Sequence, residues 1–211
     1  MVSTCAVSMD LSERRLAVAG VLLLLFAVRL IAHRAAGGMA RDQSDGIALE
    51  GGRSVALALR LTVLVFGLIP AVIWCVAPTR LPGQLDLPDI TYWAALASAL
   101  AGLLLLIFVH RALGRQFSGT LHLRDDHQLV THGPYSRIRH PMYTAFLLLL
   151  GGLATLIGNA WIAVVLLGSQ VWVLLVRLPL EEAQLNERFG QAWQEHCHRT
   201  GRLLPRWRNS R

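Results

Sequence analysis

Residues His127 to Tyr143 read HQLVTHGPYSRIRHPMY, and an apolar run of helix length starts where this stretch stops. Three histidines, two arginines, two tyrosines and two prolines crowd a short loop beside a segment fit for a membrane. Such a density of polar chemistry points to a site. Gly133-Pro134 is a turn signal, and Pro141 biases His140 away from the helical region. The loop is therefore expected to stay extended up to His140, with a helix beginning at Pro141. That helix would turn its free N–H groups and positive dipole end toward the loop, where Arg137 and Arg139 add further donors for a carboxylate or phosphate.

Working outward, composition agrees with a membrane segment. The 211 residues are 54% hydrophobic and 16% charged, with a mean hydropathy of +0.48. An integral membrane protein is the first reading, and a soluble helical protein with an unusually large core is the alternative. Several uninterrupted apolar runs approach the roughly 20 residues that span a bilayer. The net charge of +7 is carried by arginine, since the chain contains no lysine. These arginines sit in short loops beside apolar runs, where anionic headgroups and cytoplasmic retention explain them better than nucleic acid does. Cys5, Cys75 and Cys197 are far apart, so neither a disulfide framework nor a thiolate metal site is indicated.

Five apolar runs follow in order. Leu16 to Ile31 comes after Glu13-Arg14-Arg15; the acid there and Arg29 favour a retained helix over a signal peptide. His33 to Arg53 is a Gly-rich charged loop. Val55 to Val76 carries Arg60 near its start and Pro70 within it, where a kink is expected. Pro78 to Pro88 is a short connection. Ile90 to Val109 has Tyr92 and Trp93 as interfacial anchors. The alternation Thr120-Leu121-His122-Leu123 suggests extended chain leading into the central loop. Met142 to Ile157 and Trp161 to Leu178 are separated by little more than Gly158-Asn159, which predicts an antiparallel hairpin. Arg177 and the pair Glu181-Glu182 are thereby returned to the central loop. In the polar tail, Leu185, Phe189 and Trp193 keep a four-residue rhythm suited to an amphipathic helix, ended by Gly201 and Pro205, with Trp207 as an anchor. The arginine-rich loops place the central loop and tail in the cytoplasm. Five spans then put the N-terminus outside, against Arg14 and Arg15.

Each feature also has a plain structural reading. Glu181 and Glu182 can be solvated acids opening the tail helix; being about 100° apart on a helix, one is expected to face the loop while the other pairs with an arginine or water. His127, His132 and His140 lack metal-ligand spacing, and Arg137 and Arg139 would repel a cation, so no metal is expected. Tyr135 and Tyr143 can be interface anchors.

Taken together, Leu-Val-Thr-x-Gly-Pro-Tyr, Arg-His-Pro-x-Tyr at the head of a span, the hairpin, Arg177 with Glu181-Glu182, and Phe189-Gly190 resemble the isoprenylcysteine carboxyl methyltransferase family. Phospholipid N-methyltransferases look similar in the histidine-proline and paired-glutamate signatures. The match runs from Ser118 to Pro205; the first three spans match only in hydrophobicity. The resemblance implies an S-adenosylmethionine cofactor between loop, hairpin and tail. His127, Gln128, Leu129 and Val130, with Thr120 alongside, would line its adenosine end. Tyr135 and the run His140-Pro141-Met142-Tyr143 would contact its ribose and methionine parts, Glu181 and Glu182 would bind it, and Arg177 would face the methyl acceptor. The chain differs from the family's usual pattern at Ala145, where glycine is usual, at Trp193 and His196, where tyrosines are usual, and at Leu204-Pro205-Arg206 in place of Val-Pro-Arg. The resulting expectation is an all-α integral membrane protein of about five transmembrane helices. Residues 1–115 would form the N-terminal helices, and residues 116–211 the methyltransferase region, facing the cytoplasm from the cell inner membrane. Its partners would be the bilayer and a lipophilic acceptor. Sterol reductases look similar in the Arg-His-Pro-x-Tyr loop and hairpin, so an NADPH-dependent membrane reductase is the competing enzyme reading, and a non-catalytic scaffold the third.

Overall fold

The computed structural model describes residues 9–35, 68–76, 82–114 and 128–206. Thr120, His127, the alternating stretch before the loop, most of the second apolar run and Trp207 lie outside the described residues. Helices are α1 (Leu11–Ala35), α2 (Ile69–Val76), α3 (Asp89–Leu113), α4 (Pro141–Ile157), α5 (Ala160–Trp172), α6 (Leu178–Phe189) and α7 (Gln191–Arg199). Among the described residues, extended pairing is confined to two isolated bridges, Gln84 with Asn159 and Ile138 with Gly201. Among the described residues, three helical stretches are long and apolar enough to cross a membrane, namely Leu11–Ala32, Asp89–Leu113 and Ala160–Phe189, and α4 is a shorter apolar helix. Leu16, Leu23, Phe26 and Ile31 on α1, and Trp161, Val164, Val171 and Leu175 on the hairpin's second arm, are exposed. A face of that size and polarity belongs in lipid.

The hairpin forms as expected, with one correction. Its second arm does not stop at Leu178; α5 runs through a π turn, Val173–Arg177, straight into α6. Pro179 lacks the N–H that an unbroken α-helix needs. The wider turn, in which the Leu178 N–H reaches the Val173 carbonyl five residues back, absorbs the proline without ending the helix. Glu181 and Glu182 consequently stand inside a long helix and not at the mouth of a new one. The tail rhythm Leu185-Phe189-Trp193 is cut at Gly190, whose φ of +48° turns the chain between α6 and α7.

The far end of the bundle is closed by polar contacts. Asn159 caps α5, accepting from the Trp161 and Ile162 N–H groups, and donates to the Pro82 carbonyl at 2.8 Å. Arg14, 8% exposed, donates to the carbonyls of Leu156 and Ile157 at 3.0 Å each. Its guanidinium lies 3.9 Å from the Tyr92 ring centre. The start of α1, the connection before α3 and the hairpin turn therefore share one end, opposite the central loop. In the middle, α3 and α4 run antiparallel with their backbones in contact. A Cβ on Gly102 would come within 2.6 Å of the Ala145 carbonyl oxygen, and one on Gly152 within 2.5 Å of that of Ala95. Small residues let membrane helices approach this closely. Ala145, fully buried, thus faces Gly102.

Candidate functional site

The central loop is not extended throughout. Gly133, at φ +60°, opens a 3-10 turn over Gly133–Ser136, and Arg137 and Ile138 donate back to the Pro134 carbonyl. This turn lifts Tyr135 toward Glu181. Burial, and then the Glu181 charge, push the Tyr135 phenol above its ordinary range. As expected, α4 begins at Pro141 after a non-helical His140. Gln128 is exposed while Leu129 and Val130 are half-buried.

Both glutamates meet the loop, where only one was expected to. Tyr143 and His140 lie three residues apart around the first turn of α4, so each can reach a different glutamate. The Tyr143 hydroxyl donates to Glu181 Oε2 at 2.5 Å. His140, 3% exposed, bonds Glu182 Oε1 through Nε2 at 3.0 Å; a carboxylate only accepts, so that nitrogen carries a proton. Glu182 also pairs with an arginine, as expected of one of the two: Arg202 donates from Nε at 3.1 Å and Nη2 at 2.8 Å. Arg177 lies beside Tyr143, and its Nε is buried with no hydrogen-bond partner. Arg139 is drawn to Glu182, at 3.9 Å, whereas Arg137 is exposed, so the two arginines do not converge on one anion position as the sequence suggested.

The tail contributes residues that the motifs did not single out. Gly201 accepts from the Arg139 N–H and donates to the Arg137 carbonyl, Arg202 accepts from the His140 N–H, and Thr144 donates to the Leu203 carbonyl at 2.6 Å. Trp193, nearly buried, packs its ring edge-on to His140 at 6.1 Å between centres, and His196 lies 5.8 Å from Trp193. Burial first, then the neighbouring Arg139, His140 and Arg199, lower the His196 pKa. No spacing rule links Arg202 to Glu182, 20 residues away. The positions at which the tail departs from the family's tyrosines were the available signal for Trp193 and His196.

Residues 94–187 match the sequence model of the isoprenylcysteine carboxyl methyltransferase (ICMT) family. A probable protein-S-isoprenylcysteine O-methyltransferase from Oryza sativa subsp. japonica is 33% identical over 95 residues, which is 44% of this chain and 49% of the relative. Protein-S-isoprenylcysteine O-methyltransferase B of Arabidopsis thaliana is 33% identical over 95 residues, 44% and 48% of the two chains. A protein-S-isoprenylcysteine O-methyltransferase of Schizosaccharomyces pombe is 35% identical over 81 residues, 38% and 34%. The chain spans about half the length, or less, of these curated relatives. Among solved structures, the eukaryotic intramembrane Ras methyltransferase ICMT superposes with a TM-score of 0.61 at 19% identity, over 96% of this chain and 69% of that one. At that identity the likeness is one of fold, a multi-pass helical membrane fold. The resemblance drawn from loop and hairpin is borne out. Its extent differs from the expectation, since the match begins inside α3 and ends at Glu187, before the tail.

Proposed function

Because residues 94–187 carry the pattern of the isoprenylcysteine carboxyl methyltransferase family, we propose that this chain is an integral membrane methyltransferase. It would use S-adenosylmethionine to methylate the carboxylate of a lipophilic acceptor of the isoprenylcysteine class. The observation that carries this reading is that Glu181, anchored by Tyr143, and Arg177, whose buried Nε has no hydrogen-bond partner, stand on one helix beside the central loop. A buried cationic N–H without an acceptor is costly, and an anionic ligand group is the natural remedy. The residues also suit the cofactor: Glu181 accepts from an ammonium or ribose hydroxyl, Tyr135 and Tyr143 offer hydroxyls, and Leu129 and Val130 offer an apolar wall.

The bound cofactor would supply an electrophilic methyl group on a sulfonium. Glu181 and Tyr143 would hold its amino acid part, with His140, Pro141 and Met142 shaping that wall and Gln128 nearby. His127 and Thr120 retain their proposed place at the adenosine end. Arg177 would orient the acceptor carboxylate through its planar fork, a positioning role that needs no proton transfer. Apolar walls would keep water out, and because the reaction joins opposite charges, a dry pocket raises the separated charges more than it raises the transition state. Residues 1–115 would serve as scaffold and acceptor channel, and residues 116–211 as the part bearing the site. The arginines around the loop and tail support a cytoplasmic site in a cell inner membrane.

Thermal stabilisation of the solubilised full chain tests the reading. S-adenosylhomocysteine is expected to stabilise it and Glu181→Ala to abolish the effect. Arg177→Ala is expected to damage acceptor use more than nucleoside affinity. Stabilisation by NADPH alone would turn the assignment to a reductase, and stabilisation by neither to a scaffold.

A further inference from the structure

The two adjacent glutamates differ in how much of their accepting capacity the protein already uses. A carboxylate offers about four acceptor positions. At Glu182, Oε1 receives His140 Nε2 at 3.0 Å and Arg202 Nε at 3.1 Å, Oε2 receives Arg202 Nη2 at 2.8 Å, and Arg139 Nη1 stands 3.9 Å from Oε1. At Glu181, Oε2 receives the Tyr143 hydroxyl, while His140 Nδ1 is 3.8 Å from Oε1, too far for a hydrogen bond. Glu181 keeps capacity for a ligand; Glu182 is committed to the protein.

What Glu182 is committed to is the tail. From Glu182 the chain completes α6, turns at Gly190, forms α7 and comes back at Arg202, where the planar guanidinium grips the carboxylate through two donors. The same few residues lie against the central loop through the Ile138–Gly201 bridge, the His140 N–H to the Arg202 carbonyl at 3.1 Å, and Thr144 to the Leu203 carbonyl. Gly201 permits the tail to fold tightly back on itself at this point, since a Cβ there would overlap the Leu204 carbonyl. These main-chain bonds join tail to loop but leave α6 outside the union. Glu182 ties it in, holding His140 on the loop side and Arg202 on the tail side.

We propose that Glu182 and Arg202 form a latch that fixes the distance between α6 and the first turn of α4, and so between Glu181 and Tyr143. Arg202 is a positioning residue of the site, and Glu182 serves the latch instead of a ligand. The effect on ligand binding rests on the proposed function; the closure of the tail does not.

The test uses the full chain in detergent with Arg202→Ala, Arg202→Lys, Glu182→Gln and the Glu182→Gln/Arg202→Ala double variant. Amide exchange of residues 191–206 and calorimetric affinity for S-adenosylhomocysteine are read in parallel. Arg202→Ala is expected to speed exchange in the tail and weaken affinity about tenfold, the scale of a charge-assisted contact. Lysine, a point charge without the fork, should recover only part of both. Glu182→Gln should act in the same direction, and the double variant should be no worse than the more damaging single one, the mark of residues acting through one contact. Unchanged affinity in Arg202→Ala overturns the positioning role, and abolished binding in Glu182→Gln with unaltered tail exchange would make Glu182 a direct ligand. Were the unaltered chain to bind no nucleoside, the functional reading would fail, and tail exchange alone would decide the latch: acceleration supports it and no change overturns it.

Discussion

An arginine at the start of an apolar span reads as an orientation signal, yet Arg14 meets the last carbonyls of α4 and the face of Tyr92. Its charge completes a helix end and says nothing about which leaflet it faces. Gln84 shares the Ile157 carbonyl at 2.7 Å, so Arg14→Met leaves the Leu156 carbonyl as the main orphan. The expected loss is about 1–3 kcal/mol, seen as a lower unfolding temperature in detergent. His196 gives a second prediction, this time in pH. Its pKa is held below the ordinary 6.5 of the unfolded chain. Below 6.5 the unfolded state takes up a proton that the folded state refuses, so stability is full above that pH and falls as the medium is acidified. His196→Phe should flatten the acid side of a melting-temperature profile; an unchanged slope between pH 5 and 6.5 would assign the effect elsewhere.

At the scale of elements, one close helix contact and one departure from the sequence reading have local causes. The contact of α3 with α4 depends on Gly102 and Gly152, because the atoms facing them are backbone and cannot swing aside. Gly102→Ala should cost about 1–3 kcal/mol by overpacking, measurable as loss of thermal stability in detergent. If stability is kept, the helices can separate without penalty. The hairpin's second arm was expected to end near Leu178, because a proline and two acids usually announce a boundary. Instead the π turn passes Pro179 and carries the helix to Phe189. The helix thus delivers Arg177, Glu181 and Glu182 from one continuous rod, which a loop of the same residues would not do with the same precision.

For the whole molecule, both ends of the bundle are occupied by polar residues, but of different kinds. The hairpin end is closed by Arg14, Gln84 and Asn159, whose bonds are made within the protein. The loop end gathers Arg137, Arg139, Arg199, Arg202 and Arg206, of which all but Arg139 are exposed. In a cysteine-free background, Thr131→Cys should react with an impermeant thiol reagent only from the cytoplasmic side, and Asp86→Cys only from the opposite side. Labelling of both from one side would break the antiparallel order of α3, α4 and α5.

Much of this was legible in order along the chain. Run length and the absence of charge marked the helices, Gly158-Asn159 marked the reversal, and the motifs between His127 and Tyr143, with Glu181-Glu182, marked the site, because those features act over a few residues. What tertiary structure alone decided involves partners far apart in sequence: Arg202 with Glu182, the tail against residues 137–140, Ala145 against Gly102, and Arg14 against the end of α4. Periodicity reports which face of a helix avoids water. It does not report which distant carbonyl or carboxylate a buried charge will find, since that choice is made only when separate elements pack and every polar group left out of water must be satisfied at once.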